Sequence, residues 1–308
     1  MNHTVLQTRN ITKRYKNVAA VDNVSLSIRI GDIYGLVGRN GAGKTTLMRM
    51  ITALTFADFG ELELFGQTTE SGLNQSRRRM GSVVEMPAFY PNLTAKQNLE
   101  YYRILRGIPD KLSVDNALKV VNLTDTGKKA FKNFSLGMKQ RLGLALALLN
   151  NPDFIILDEP INGLDPMGIV EMRELIKKLA AENGITFMVS SHILTELSLI
   201  ATQYGFIDGG KLIKELTQEQ LREQCQKCLS IKVDNTAKAA AVLETALNTT
   251  KFKVISDSEI RLYDYFDNSA EVTFQLNSNG VRVSSLSEIG DNLEDYFISL
   301  VGKENVNA

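Results

Sequence analysis

Apolar and polar residues alternate in the N-terminal part of the chain, as expected for strands with one buried face. The alternation is clear at Val5–Ile11, Val24–Ile30 and Glu61–Phe65. Between the last two segments, the apolar run Ile33–Val37 predicts a short strand that is buried on both faces. The chain is therefore expected to begin with half-buried strands around one buried strand.

Residues 94–149 have helical apolar spacing, and strands and helices alternate after them. Thr94 and Ser113 are placed to act as helix N-caps. The elements predicted downstream are strand Phe154–Leu157, helix Pro166–Asn183 ended by Gly184, strand Thr186–Ser190, and hairpin strands Tyr204–Asp208 and Lys211–Glu215. Such alternation is typical of an α/β fold with a mostly parallel sheet.

The pattern changes near residue 216, so we expect two domains, residues 1–216 and 217–308. In the second domain Ser269 is expected to cap a helix and Gly280 to end it. The predicted elements are strand Leu229–Val233, helix Thr236–Leu247, strands Phe252–Ser256 and Glu259–Tyr263, helix Ser269–Ser278, strand Val281–Ser284 and helix Asn292–Leu300. This order predicts a small α+β domain with a ferredoxin-like layout.

Composition and charge limit the classes of function. Lysine plus arginine number 35 in the 308 residues, and aspartate plus glutamate also number 35. Binding to nucleic acid phosphates usually requires a basic excess, so we expect no nucleic-acid partner. The first residues lack the apolar core of a secretory signal, and no apolar run reaches the about 18 residues of a spanning helix. Cys225 and Cys228 are expected to be reduced thiols, because no nearby histidines complete a zinc site.

A glycine-rich segment directly after Ile33–Val37 matches the pattern G-x-x-x-x-G-K-[ST]. In this arrangement backbone N–H groups converge on phosphate oxygens at the positive N-terminus of a helix. Lys44 can reach the terminal phosphates, and the hydroxyl of Thr45 can bind Mg²⁺. The candidate nucleotide-binding residues are Gly38, Arg39, Asn40, Gly41, Ala42, Gly43, Lys44, Thr45 and Thr46.

Two carboxylates, Asp158 and Glu159, follow the buried strand Phe154–Leu157. Open α/β sheets bind ligands at the carboxyl ends of their strands. Asp158 is therefore a candidate Mg²⁺ ligand, and Glu159, which points elsewhere, is a candidate general base for water.

Residues 134–141 read FSLGMKQR and precede a helical segment. With the two motifs above, this segment makes the chain resemble the nucleotide-binding subunits of ABC transporters, whose signature is LSGGQ. In that family the signature serine and glycine bind the γ-phosphate of ATP held by the opposite subunit, which implies this role for Ser135 and Gly137. Leu136 and Met138 depart from the usual glycine and glutamine, so we expect function to survive with altered ATP affinity.

Other positions match the family in order. Tyr15 lies upstream of the glycine-rich loop, where an aromatic residue stacks on adenine. The segment Asn162–Asp165 resembles the D-loop, which lines the subunit interface. His192 resembles the switch histidine that contacts the γ-phosphate. The resemblance thus implies nucleotide-binding roles for Tyr15 and Asp165, and a catalytic role for His192 beside Lys44 and Glu159.

Glu85 stands where most family members have glutamine, at the start of the loop toward the membrane subunit. A carboxylate there adds negative charge near ATP and the two acidic residues, and Mg²⁺ would offset the repulsion. The resemblance therefore implies that Glu85 senses or binds Mg²⁺ or water. This glutamate and the segment PAFYPNLT after Met86 resemble the bacitracin-resistance and lantibiotic-immunity branch of the family.

The resemblance covers about residues 4–216 and implies a P-loop α/β core with an antiparallel β subdomain and a helical subdomain at about 86–150. It implies an ATPase that uses ATP and Mg²⁺ to power export of an antimicrobial peptide or drug. A second cassette, expected to be another copy, would complete the ATP sites. A separate permease subunit would hold the translocation path, with this chain bound to it at the cytoplasmic face of the plasma membrane.

Two alternatives remain open from the residues. ABC-type ATPases also act in translation or DNA repair, although the segment between P-loop and signature shows no coiled-coil heptads and the net charge is neutral. A nucleotide-gated binding module without turnover is a third class, and Glu159 argues against it because such a site needs no base.

Overall fold

The computed structural model describes residues 4–85, 88–225, 228–289, 293, 296–298 and 300. Of the predicted helix Asn292–Leu300, residues 293, 296–298 and 300 are described and are helical, and residues 292, 294, 295 and 299 lie outside the described residues. The chain divides into two compact units, with the boundary between Gln218 and Glu219. Among the residues that the structure describes, none of the helices is both long and apolar enough to cross a membrane.

The described residues of the first unit form nine strands and most of the described helices. Its strands are β1 (Thr4–Tyr15), β2 (Val18–Arg29), β3 (Ile33–Val37), β4 (Phe59–Leu64), β5 (Met80–Val83), β6 (Phe154–Leu157), β7 (Thr186–Ser191), β8 (Gln203–Asp208) and β9 (Lys211–Thr217). Its helices are α1 (Lys44–Ile51), α2 (Glu70–Arg77), α3 (Ala95–Leu105), α4 (Leu112–Val120), α5 (Leu136–Leu148), α6 (Pro166–Asn183) and α7 (Leu194–Ser198). Helix α8 (Gln218–Cys225) begins at the boundary.

Two sheets organise the first unit. The antiparallel sheet has the order β2-β1-β4, and the six-stranded sheet has the order β5-β6-β7-β3-β8-β9. Strands β3, β6 and β7 are buried along their whole length, as their apolar sequences predict. In the larger sheet β5, β6, β7 and β3 are neighbours and run parallel. The loops that leave their carboxyl ends therefore lie at one edge of the sheet, where the functional motifs follow.

A buried tyrosine links three strands of the larger sheet. The hydroxyl of Tyr34 on β3 donates to the carboxylate of Glu215 on β9 at 2.8 Å. The ring reaches across Gly205 on β8, where a methyl group would lie 2.0 Å from the tyrosine oxygen. Burial raises the pKa of Glu215, and the hydrogen bond from Tyr34 opposes that increase. The pKa of Tyr34 is raised well above its usual value, first by burial and then by Glu215.

The N-cap prediction in the helical region is right for one helix and wrong for the other. Thr94 caps α3 in a capping box, in which its hydroxyl accepts from Gln97 N and Gln97 Oε1 accepts from Thr94 N. Ser113 does not cap α4, because it lies inside the helix and donates to the carbonyl of Asp110. The N-cap is Lys111, which makes no side-chain cap bond, and Asp110 before it accepts the backbone N–H of Leu112 at 2.8 Å. Helices α2 and α7 were not predicted.

The second unit contains an antiparallel sheet and helices. Its elements are β10 (Cys228–Val233), α9 (Thr236–Thr245), β11 (Phe252–Ser256), β12 (Glu259–Leu262), α10 (Ser269–Ser278) and β13 (Val283–Ile289). The strand order β11-β12-β10-β13, with antiparallel neighbours, is that of a β-α-β-β-α-β ferredoxin-like unit. The cap prediction at Ser269 is wrong: Asn268 is the N-cap, without a side-chain bond, because a 3-10 turn, Phe266–Asn268, leads directly into the helix.

Candidate functional site

The glycine-rich loop forms a cradle at the carboxyl end of β3 and the start of α1. A cavity of about 160 Å³ is lined by Ala20, by residues 40–46 and by Glu159. Gly43 has φ +105°, and a methyl group on it would lie 2.4 Å from the carbonyl oxygen of Ala20. A methyl group on Gly38 would likewise lie 2.4 Å from the carbonyl oxygen of Ile207. Glycine is therefore needed at these two positions to pack the loop against β2 and β8.

The amine of Lys44 is held inside the cradle. Its Nζ donates to the carbonyls of Gly38 at 2.7 Å and Arg39 at 3.1 Å, and the side chain is 5% exposed. It also lies 3.3 Å from Oε1 of Glu159. The lysine amine is therefore shielded from water and lines the cavity, where its positive charge would attract an anionic phosphate.

The carboxylate of Asp158 is fixed on both oxygens. Thr45 Oγ1 donates to its Oδ2 at 2.7 Å, and Ser190 Oγ donates to its Oδ1 at 2.6 Å. Ser190 Oγ also accepts the backbone N–H of Glu159 at 2.8 Å. The end of β7 therefore orients both acidic residues, and it brings the predicted metal-binding pair, Thr45 and Asp158, into contact.

Three groups surround the carboxylate of Glu159. His192 Nδ1 lies 3.0 Å from its Oε2, and Asn162 Nδ2 donates to the same oxygen at 3.0 Å. Lys44 lies on the other oxygen. The backbone of Glu159 is left-handed, with φ +47°. This conformation turns the side chain away from the strand direction, so neighbouring residues 158 and 159 can serve different roles.

Tyr15 lies at the end of β1 and is paired with Val18 across a tight turn. Its ring is 46% exposed, and Lys13 Nζ lies 5.6 Å from the ring centroid. The ring does not line the phosphate cavity. The next strand, β2, does reach the cavity through Ala20. An exposed aromatic ring near the entry to β2 is compatible with base stacking.

The signature residues lie on a separate element. Ser135 caps α5 by accepting the N–H of Met138 at 3.3 Å, and Gly137 lies in the first turn. Asp165 caps α6 by accepting the N–H of Gly168 at 3.1 Å. The phosphate cavity of the same chain is not lined by any of these three residues, Ser135, Gly137 and Asp165. The serine leaves the positive end of α5 exposed, and this end can bind an anion from outside the chain.

Glu85 forms an ion pair that the sequence did not indicate. Its carboxylate contacts the guanidinium of Arg49 on α1, and the glutamate side chain is 61% exposed. Arg49 lies one helical turn after Thr45. The structure therefore brings Glu85 to the helix that carries Thr45, but against Arg49 and not against Thr45 or Asp158.

Three residues of the site were missed at the sequence level: Arg49, Asn162 as a partner of Glu159, and Ser190. Each acts through a side-chain contact with a residue at least three positions away, and the Arg49 and Ser190 contacts span 36 and 32 positions. The only available signal was position, since Asn162 lies in the D-loop segment and Ser190 ends a predicted strand.

The family comparisons agree with this geometry. Residues 21–162 match the ABC transporter family. The chain is 41% identical over 298 residues to the bacitracin transport ATP-binding protein BcrA of Enterococcus faecalis, a match that covers 97% of this chain and 96% of that protein. The chain belongs to the ABC transporter ATP-binding proteins. It is thus an ABC-type ATPase, and the family is a transporter family, in contrast to the soluble translation or repair alternative.

Two further relatives support the assignment. The lantibiotic transport ATP-binding protein SrtF of Streptococcus pyogenes is 41% identical over 211 residues, or 68% of this chain and 90% of that protein. The dimeric post-hydrolysis structure of the ATP-binding cassette MJ0796, bound to ADP and Pi, aligns with a TM-score of 0.62 at 28% identity, covering 69% of this chain and 98% of that chain. The predicted cassette fold and the predicted bacitracin and lantibiotic branch are both confirmed.

Proposed function

We propose that this chain hydrolyses ATP to drive export of a peptide antibiotic of the bacitracin or lantibiotic type. The carboxylate of Glu159, held between Lys44 and His192 beside the phosphate cradle, carries the catalytic part of the proposal. The match to BcrA over nearly the whole chain carries the cargo class. That protein is named for bacitracin transport, and SrtF for lantibiotic transport.

In the proposed reaction, each residue of the cradle has one role. Backbone N–H groups of residues 39–46 bind phosphate oxygens, and Lys44 neutralises the terminal phosphates. Glu159 polarises the attacking water and accepts its proton. His192 holds the carboxylate from the other side, and in our proposal it also contacts the γ-phosphate. Tyr15 stacks on the adenine.

Mg²⁺ fits the side chains at this site. Thr45 and Asp158 offer a hydroxyl and a carboxylate, which are the hard oxygen ligands that Mg²⁺ takes together with phosphate oxygens and water. Within the described residues no group of three His, Cys, Asp or Glu side chains forms a separate metal site. When bound, Mg²⁺ would neutralise charge on the phosphates. We propose Glu85 as an outer residue that responds to this charge.

Ser135, Gly137 and Asp165 act at the interface with a second cassette in our proposal. The capped N-terminus of α5 is exposed and lies outside the phosphate cavity of its own chain, as a group that serves a partner's ATP would. A permease subunit would hold the translocation path, with this chain at the cytoplasmic face of the membrane. Exposed apolar side chains on and after α3, which include Tyr101, Ile104 and Leu105, are suited to contact that subunit.

We assign ATP turnover to residues 1–216, and an accessory role to residues 217–308. Every proposed ATP ligand lies before residue 216. The second unit has its own apolar core, built on Leu229, Ile231, Leu243, Leu262 and Leu276. A unit with its own core can act without contributing to the ATP site.

The proposed function is tested in proteoliposomes that contain the chain with its permease. ATP turnover is measured with bacitracin, with a lantibiotic, and with a linear peptide of the same charge as a control. Stimulation by one of the first two and not by the control supports the proposal. Stimulation by ribosomes or DNA, and by neither antibiotic, would contradict it in favour of the soluble alternative.

A further inference from the structure

The N-terminus of α5 and the D-loop of the same chain fit together through two leucine–glycine contacts. Gly163 has φ +74°, and a methyl group built on it would lie 3.1 Å from Cδ2 of Leu136. In the reverse direction, a methyl group on Gly137 would lie 3.9 Å from Cδ2 of Leu164. Each leucine therefore lies over a glycine of the other segment. Arg141 on α5 and Glu171 on α6, 3.5 Å apart, join the same two helices further along.

Leu136 is the residue that departs from the family signature, and it is the first residue of α5. Its side chain is 40% exposed, so part of it is covered. Gly163 has no Cβ, and this leaves room for the side chain of Leu136. The contact therefore explains why position 136 accepts a leucine where the family signature has glycine. A β-carbon at residue 163 would fall within 3.4 Å of Leu136, a distance at which the leucine has to shift.

The D-loop residue before Gly163 is Asn162, which donates to Oε2 of Glu159 at 3.0 Å. The amide thus fixes one oxygen of the carboxylate that we assign as the base. Rotation of the D-loop would move Asn162 away from this oxygen. A contact that restrains Gly163 therefore also restrains the orientation of Glu159.

We propose that Leu136 and Asn162 are positioning residues for ATP hydrolysis: Leu136 packs on Gly163 and holds the D-loop where Asn162 orients Glu159. The contact joins the signature turn, which serves the partner's ATP, to the base that serves the chain's own ATP. This inference rests on the roles proposed above for Glu159 and Ser135. The proposed coupling is a packing contact between the signature turn and the D-loop, and it involves no covalent step.

The test is a set of ATPase measurements on the full-length chain, with kcat and KM determined separately. Leu136→Ala should lower kcat about tenfold with little change in KM. Loss of an interaction between two residues in contact typically changes a rate by about this factor. Leu136→Met, which fills a similar volume, should restore most of the lost kcat. Asn162→Leu, which keeps the shape of the side chain and removes the donor, should lower kcat by a similar factor.

Two double variants decide the question. In the Asn162→Leu background, Leu136→Ala should cause no further loss of kcat, because Leu136 acts through Asn162. Leu136→Ala should also partly rescue Gly163→Ala, because it removes the Cδ2 atom that a β-carbon at residue 163 would meet. Gly184→Ala is the matched control, since Gly184 has φ +66° and no atom within 4 Å of an added methyl group. Leu136→Ala should not rescue that variant.

Full additivity of Leu136→Ala with Asn162→Leu, at unchanged thermal stability, would overturn the inference while leaving the proposed function in place. Glu159→Gln separates the two. If Glu159→Gln turns over ATP at the wild-type rate, the assignment of the base fails and the inference fails with it. If Glu159→Gln is inactive and the double variants are additive, only the inference fails.

Discussion

Nδ1 of His192 lies 3.0 Å from Oε2 of Glu159, on the side opposite to Lys44, which lies 3.3 Å from Oε1. His192 directly follows β7, and Lys44 is the first residue of α1, which the glycine-rich loop joins to β3, the neighbour of β7 in the larger sheet. The carboxylate between them comes from the end of β6. The segments that follow three neighbouring strands therefore meet at one side chain.

Glu159→Gln should bind ATP as the wild type does and lose about 10²- to 10⁴-fold in kcat, the contribution typical of a general base. The amide keeps the shape of the side chain and its contact with Asn162, but it cannot accept the proton of water. Turnover is measured by phosphate release, and binding by a fluorescent ATP analogue. Wild-type kcat in this variant would remove Glu159 as the base.

Ser135→Arg should retain nucleotide binding by the single cassette and lose ATP-driven dimerisation. The bulky side chain removes the cap of α5, at a cost of about 1 kcal/mol, and blocks the exposed helix N-terminus. Light scattering in the Glu159→Gln background measures dimer formation. Ser71→Arg, an exposed serine in the first turn of α2, is the matched control. Dimers that persist in Ser135→Arg would contradict the composite site.

Arg49→Met should raise the Mg²⁺ concentration required for half-maximal ATPase about twofold to fivefold, the range of an exposed ion pair. The guanidinium compensates the charge of Glu85, so its removal leaves an unpaired carboxylate beside α1, the helix that carries Thr45. Glu85→Gln in the same background should reverse the change.

The control for this pair is Lys96→Met, which removes the cation of the exposed ion pair between Lys96 and Asp115, remote from the nucleotide motifs in sequence. It should leave the Mg²⁺ dependence unchanged. Identical Mg²⁺ curves for wild type, Arg49→Met and Glu85→Gln would show that Glu85 is a solvated charge without a role in Mg²⁺ binding.

Tyr34→Phe should destabilise the protein by about 1–3 kcal/mol at pH about 7, and by less at pH about 4. The folded-state pKa of Glu215 is raised by burial, so its contribution to stability falls as pH rises from the usual value toward the folded value. Loss of the Tyr34 donor raises this pKa further and enlarges the loss at neutral pH.

Tm at the two pH values measures this effect. Tyr204→Phe is the control, because the Tyr204 hydroxyl donates to the backbone carbonyl of Ala201 and not to a carboxylate. Its destabilisation should not depend on pH in this range. An equal loss of stability at both pH values for Tyr34→Phe would show that the hydrogen bond from Tyr34 to ionised Glu215 makes no pH-dependent contribution to stability.

A chain that ends at Gln218 should bind ATP with the affinity of the full chain. The two units have separate apolar cores, and the proposed ATP ligands all lie in the first. Circular dichroism establishes that the shortened chain is folded, and fluorescent-nucleotide titration measures binding. A folded but non-binding product would show that residues after 218 are needed for nucleotide binding.

Local sequence determined the elements and turns of the site. The strand–glycine–helix order around Lys44 sets the phosphate cradle because glycine alone adopts the backbone required at Gly43. The predictions for β3, β6 and α6 match the structure residue for residue, and Gly184 ends α6 in a left-handed conformation. These features depend on contacts within a few residues, which the order of residue types specifies.

Tertiary structure decided which side chains meet. Strand order places Ser190 between Asp158 and the backbone of Glu159, and it brings Arg49 to Glu85. Periodicity carries no information about such pairs, because it reports which face of an element is buried and not which element covers it. The departure of Leu136 from the family signature is visible in the sequence, but its fit over a residue without a β-carbon exists only after α5 and the D-loop have packed.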